Sequence, residues 1–237
     1  MVTYKLHTAK DKSELSRLTS QVIIDEIKKT LATKNRFQLS LSGGSTPILA
    51  YSLLREEPLP WERVDIILGD ERWVHSSDES SNALMLKKTL LASGPGKGAC
   101  FHPVPTTELG SPTESAKYFS KLLGKVCTGT PPRFDLILLG LGDDGHTASL
   151  FPWSTSLYSR DLYATVGEGK GKARITLTAE VLSAASKVIF LVSGKSKQIA
   201  LKRLLDPKES SDRTPAKLVK TSSEVLILSD DDAAKLL

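Results

Sequence analysis

Residues 134–151 read FDLILLGLGDDGHTASLF, and their interpretation decides the fold. The first half is apolar apart from Asp135. Such runs belong to strands buried on both faces, as in a parallel sheet covered by helices on each side. The second half, GLGDDGHTASLF from Gly140 to Phe151, opens with the glycine spacing G-x-G-x-x-G. A strand that runs into such a turn belongs to an α/β protein, whose ligands bind outside the carboxyl ends of the strands.

Working outward, similar runs recur. Strands are expected at residues 3–6, 37–41, 64–68, 134–139, 162–166, 187–192 and 224–228, and helices at 11–31, 47–54, 81–91, 112–126, 178–185 and 195–205. In the first helix Leu15, Leu18, Val22, Ile27 and Leu31 lie near one face. The alternation of strand and helix predicts an α/β fold with a mostly parallel sheet between two helical layers. The irregular stretches, 92–99, 167–172 and 206–217, do not read as linkers, because strand patterns continue on both sides. The whole chain, 1–237, is therefore read as one domain.

Composition excludes several functions. The net charge is +5, spread without a basic block, so nucleic-acid binding has little support. Cys100 and Cys127 form neither a CxxC pair nor a zinc ligand set. The opening MVTYKLHTAK lacks an apolar signal region, and no run approaches membrane-helix length. The expectation is a soluble, cytoplasmic protein.

Four strand ends carry unusual residues. After the strand at 37–41 comes Ser42-Gly43-Gly44-Ser45-Thr46, with Pro47 opening a helix. Two glycines admit a ligand close to the backbone, and helix N–H groups with two hydroxyls suit a monophosphate. The loop lacks the lysine of a nucleotide-triphosphate loop, and it is not the G-x-S-x-G elbow that would make Ser45 a nucleophile. The alternative is a capped tight turn.

The strand at 64–68 leads into Asp70, Glu71 and Arg72. Asp70 is a candidate substrate-binding residue, and Arg72 suits an anion or a developing oxyanion. The alternative is a surface salt-bridge cluster. His75 reads as a loop residue; His7 and His102 read as structural.

In the opening stretch, Asp143 and Asp144 would repel a dinucleotide phosphate. The ribose-binding acid that such a site needs is also missing, since Asp161 precedes its strand pattern instead of ending it. The glycines then serve to present Asp144 and His146. A histidine whose tautomer a carboxylate fixes is a suitable general base near neutral pH. A helix-capping histidine and a metal pair are the alternatives. Finally, Arg174 begins a short extended segment and Lys197 lies just after the strand at 187–192, and either suits a phosphate.

Taken in order, SGGSTP, GDERWV with SNALMLKKTLL, GLGDDGHTASLFP, RITLT and SGxxK resemble the 6-phosphogluconolactonases of the glucosamine-6-phosphate isomerase/6-phosphogluconolactonase family. The resemblance implies a three-layer α/β/α, modified Rossmann-like fold. It also implies hydrolysis of 6-phospho-D-glucono-1,5-lactone to 6-phosphogluconate in the pentose phosphate pathway, without cofactor or metal. Ser42, Gly43, Gly44, Ser45 and Thr46 match the phosphate loop, with Asp70, Arg174 and Lys197 in the substrate-binding set. His146, Asp144 and Arg72 match the catalytic set. Phe151 stands where the deaminases of the family carry a glutamate, and Arg72 where they usually carry an aromatic residue. Both differences favour the lactonase over the deaminase; a sugar-phosphate isomerase and a non-catalytic sugar-phosphate sensor are the further alternatives, and Asp144, His146 and Arg72 together argue against the sensor. Glucose-6-phosphate dehydrogenase, which makes the lactone, is the implied functional neighbour. Pro215-Ala216-Lys217 matches the family's C-terminal stretch only in part.

Overall fold

A computed structural model describes residues 2–160, 162–169, 171–222 and 224–237. In chain order the elements are β1 (Tyr4–Ala9), α1 (Lys12–Leu31), β2 (Phe37–Leu41), α2 (Ile48–Leu54), β3 (Val64–Leu68), β4 (Asp70–Arg72), α3 (Asn82–Lys88) and β5 (Cys100–His102). They continue as α4 (Pro112–Val126), β6 (Leu136–Gly140), β7 (Ala164–Gly169), β8 (Lys172–Leu177), α5 (Ala179–Ala184), β9 (Val188–Val192), α6 (Gln198–Leu205), β10 (Val225–Asp230) and α7 (Asp231–Ala234).

Seven strands form one sheet in the order β1-β10-β9-β6-β2-β3-β5, and every pairing in it is parallel. β2, β3 and β9 are buried at every residue; β9 is wholly apolar, while β2 and β3 also bury Gln38 and Asp65. Helix starts are set by side chains: Asp11 accepts the Glu14 N–H, Ser111 that of Glu114, and Thr178 that of Val181.

The connections decide where a ligand fits. From β1 to β2 to β3 the chain moves toward one edge of the sheet; from β5 to β6 and from β9 to β10 it moves back. Right-handed crossovers then place α1 and α2 on one face and α4 and α6 on the other, and α1 packs directly on α2. β2 and β6 are neighbours that feed opposite ways. A crevice opens between the carboxyl ends of such a pair. The loop at 42–47 leaves β2 and the loop at 141–151 leaves β6, so both flank that crevice.

A second sheet was not legible in the sequence. β4, β8 and β7 pair antiparallel in that order. The strand expected at 162–166 is β7, displaced to Ala164–Gly169, and it belongs here and not to the parallel sheet. Arg174 does not begin its extended segment but sits inside β8. The small sheet is tied to the large one by the Gly69 N–H on Leu41 O (3.0 Å) and the Leu177 N–H on Gly69 O (2.9 Å). Asp161, considered above as a ribose ligand, lies outside the described residues. No helix among the described residues is long and apolar enough to cross a membrane.

Candidate active site

In an antiparallel pair, directly opposed residues project from the same face. Register pairs Asp70 with Thr176 and Arg72 with Arg174. These four side chains therefore share one face of the small sheet. The alternative of a solvent-exposed salt-bridge cluster is overturned, because Asp70 is 6% and Glu71 2% exposed.

Each acid has a separate task. Glu71 accepts the N–H groups of Arg72 (2.8 Å), Asn82 (2.8 Å) and Ala83 (2.7 Å), and the Ser81 hydroxyl (3.1 Å). It thus holds the start of α3 with a buried carboxylate. Burial pushes its pKa up, against the pull of those hydrogen bonds. Asp70 accepts the Ser149 hydroxyl and stands 3.8 Å from an Arg174 nitrogen.

The two arginines are incompletely satisfied. Arg72 donates to Ser80 O at 2.6 Å. The Nε atoms of both Arg72 and Arg174 are buried without a hydrogen-bond partner among the described residues. Burial lowers the pKa of the Arg174 guanidinium; Asp70 opposes this and the facing Arg72 adds to it. Two opposed guanidiniums with spare Nε donors, and the Asp70 carboxylate 3.8 Å from Arg174, make a site that an anion would complete.

The loop after β6 brings the histidine. Gly142 N–H donates to His146 O (2.8 Å) and Gly145 N–H to Gly142 O (3.0 Å), closing a tight turn. Gly145 holds φ +94°, a conformation that favours glycine. Any Cβ at position 142 would fall 2.0 Å from His146 Nδ1. The second glycine of the pattern thus makes room for the imidazole. His146 Nδ1 lies 2.6 Å from Asp144 Oδ1, which also accepts the His146 N–H at 3.0 Å. An ionised Asp144 assigns the proton to Nδ1 and leaves a lone pair on Nε2. Asp143, Asp144 and His146 each present one donor atom, all within 4.8 Å of one another. The metal-pair alternative thus gains a third donor, although here Asp144 and His146 are bonded to each other.

Beneath the turn lies the C-terminal stretch whose role the sequence left open. Ala216 N–H donates to Gly145 O at 3.1 Å, and Thr214 packs against Gly145. Arg203 of α6 reaches Asp143 O at 3.5 Å.

The loop after β2 forms the opposite wall. Tyr51 of α2, fully buried, donates its hydroxyl to Ser42 O at 2.8 Å and fixes where the loop begins. Gly44 holds φ +91°. A Cβ on Gly43 would land 1.9 Å from Asn82 Oδ1. Asn82 in turn donates to Asp70 O at 2.9 Å, so one buried amide joins the glycine loop to β4. Pro47 gives α2 no side-chain cap, leaving its first N–H groups for a ligand. Lys12 of α1 donates to Ser45 O at 3.3 Å.

The structure thus joins Asp70, Arg72 and Arg174 on one sheet face, pairs Asp144 with His146, and links Gly43 to β4. Lys197 ends the short turn Lys195–Lys197 beyond β9, on the same edge of the parallel sheet. Sequence reasoning missed the linking roles of Asn82, Ser149 and Thr176. All three lay within quoted motifs, but nothing in the local pattern marked them as links. Trp73 is anchored: its indole N–H donates to Ser115 Oγ (3.1 Å) and its backbone N–H to Ala173 O (3.0 Å).

Known proteins resemble this chain in sequence and fold. The family model described as glucosamine-6-phosphate isomerases/6-phosphogluconolactonase matches residues 10–228. A 6-phosphogluconolactonase of Synechocystis is 37% identical over 217 residues, covering 91% of this chain and 90% of the relative. One of Rattus norvegicus is 34% identical over 236 residues, covering 94% and 90%. Among solved structures, a 6-phosphogluconolactonase from Trypanosoma cruzi superposes with TM-score 0.86 at 28% identity over 100% of this chain and 98% of its own. A monomeric glucosamine-6-phosphate deaminase also shares the fold, with TM-score 0.83 at 23% identity, covering 98% of this chain and 100% of its own. The chain belongs to the glucosamine-6-phosphate isomerase/6-phosphogluconolactonase family.

Proposed function

We propose that this protein hydrolyses 6-phospho-D-glucono-1,5-lactone to 6-phosphogluconate. The observation that carries the reading is the His146–Asp144 pair set in the same cleft as two opposed, incompletely paired arginines. The relatives named 6-phosphogluconolactonase at 34–37% identity support it.

The phosphate anchors on Gly43–Thr46 with Arg174 and Lys197, at the carboxyl edge of the sheet. Anchoring holds C1 of the lactone before His146, turning a bimolecular attack into a positioned one. Neutral His146 takes a proton from water through Nε2 as the water oxygen bonds to C1. Asp144 stabilises the imidazolium that results. The carbonyl oxygen gains negative charge as the tetrahedral intermediate forms, and Arg72 neutralises it. Collapse breaks the bond from C1 to the ring oxygen, which receives the proton back from His146. One water is consumed and one carboxylic acid forms, so no redox cofactor is required. The substrate arises by oxidation at C1 of glucose 6-phosphate, which places the protein functionally next to glucose-6-phosphate dehydrogenase.

Two substrates offered side by side test the reading. Fresh lactone should disappear well above its spontaneous rate, and glucosamine 6-phosphate should release no ammonia. Ammonia release with lactone decay at background would assign the chain to the deaminase branch.

A further inference from the structure

The mechanism above leaves Phe151 without a task, although it lies at the centre of the cleft. Its ring centroid is 4.7 Å from that of His146, with the planes tilted by 40°. The Arg174 guanidinium carbon lies 5.4 Å from the same centroid. The side chain is 6% exposed. One buried ring therefore touches both the histidine and the arginine.

The fold has been shaped to admit that ring. A Cβ on Gly169 of β7 would stand 2.5 Å from two Phe151 ring carbons. Two residues earlier on the same strand, a Cβ on Gly167 would stand 2.3 Å from Ser149 O. The segment carrying Phe151 thus lies directly on the bare backbone of β7. Ser149 N–H is fixed to the Thr176 hydroxyl (3.1 Å) and Trp153 N–H to Asp212 O (3.0 Å). On either side of Phe151, Ala148 and Trp153 hold φ +47° and +62°, where non-glycine residues are uncommon. Local preference does not impose this path; the packing around it does.

Resting on the lactonase reading, we infer that Phe151, seated on Gly169, is a positioning residue that sets His146 and Arg174 relative to one another. An aromatic face attracts a guanidinium and stacks on an imidazole edge or face, so both partners gain from the same ring. Arg174 has no hydrogen bond at Nε to fix its plane, and Asp70 reaches it only at 3.8 Å. The ring supplies that missing constraint. Asp144 fixes one nitrogen of His146 but not the tilt of the ring about that bond; Phe151 fixes the tilt. The distance from phosphate anchor to base is thereby set by one rigid side chain.

The test is a double-mutant cycle on the whole enzyme, using freshly generated lactone. Phe151→Leu keeps apolar bulk and removes the ring face. It should lower kcat and raise KM together, reducing kcat/KM by about tenfold or more, as small misplacements of reacting groups do. Gly169→Ala changes no residue of the cleft yet pushes the ring aside, and should shift kcat and KM in the same directions. In the Phe151→Leu background the added methyl should have little further effect, because its action runs through the ring. Thermal unfolding of each variant separates loss of fold from loss of positioning, and if Phe151→Leu does not fold, Gly169→Ala decides alone. A ring that merely fills space predicts kcat and KM within about twofold of wild type in both folded variants, and that result overturns the inference. So does a change in only one of the two constants, or strict additivity of the two substitutions. Absence of wild-type turnover defeats the lactonase reading itself and this role with it, whereas wild-type turnover with unaffected variants defeats this role only.

Discussion

In the proposed mechanism His146 and the two arginines divide the chemistry, and their removal should be distinguishable kinetically. Arg174 lies with the phosphate anchor and contributes binding that substrate and transition state share. Arg174→Ala is expected mainly to raise KM. Arg72 faces the charge that develops only during attack, so Arg72→Ala is expected to lower kcat by about 10²–10³-fold with a smaller change in KM. Steady-state kinetics on the lactone checks both; a pure KM effect at Arg72 would exchange the two roles. Much of this was legible from the chain. Asp144 and His146 two residues apart, in a loop that could not cradle a phosphate, pointed to an acid–base pair, and the structure places them 2.6 Å apart. The glycines were harder to read. Gly142 and Gly43 are glycines because a Cβ would strike His146 and Asn82, respectively. That reason lies in a neighbour, and neighbours are not written in a local pattern.

At the level of elements, the buried parallel strands announced themselves, since FDLILL and KVIFLV leave little choice of environment. The small sheet did not. β4 has three charged residues, and β7 and β8 carry glycine, lysine and arginine, so alternation is broken wherever the site needs a charge or a bare backbone. This is the element most bound to function and the least visible in advance. Its hold on α3 is testable. Removing the Glu71 carboxylate strands three backbone N–H groups that it accepts from. Glu71→Ala is expected to cost about 3 kcal/mol, a figure ordinary for breaking a buried charged network. Urea unfolding measures it; a cost below about 0.5 kcal/mol would mean that water replaces the carboxylate freely. Asn82 couples that helix to the phosphate loop, so Gly43→Ala should weaken binding of 6-phosphogluconate while leaving the fold intact.

Across the whole molecule, the site and the acid sensitivity of folding draw on opposite ends of the sheet. Toward the amino ends of the strands, Asp65 accepts Arg36 Nε and Nη2 at 2.7 Å each and meets His102 Nε2 at 2.8 Å. Burial acts to raise its carboxyl, but the bonds and charges of His102 and Arg36 outweigh this and hold the pKa at about 2, below the ordinary 3.8. A carboxylate depressed on folding stabilises the native state above its unfolded pKa and loses that contribution as pH falls through the folded value. Unfolding free energy should therefore drop between pH 3.8 and about 2, and Asp65→Asn should flatten that part of the profile. An unchanged slope would show that other carboxylates carry the acid sensitivity. None of this touches the cleft, where β2 and β6 diverge and the loops of both sheets converge. The central claim is that this cleft opens a phosphorylated lactone with His146 as base. Its most direct test follows the decay of lactone freshly made from glucose 6-phosphate, with wild type and with His146→Ala, after subtracting spontaneous hydrolysis. The account predicts rapid decay with wild type, and with the variant a kcat lower by about 10²–10⁴-fold at little-changed KM. Decay by His146→Ala at the wild-type rate would contradict it.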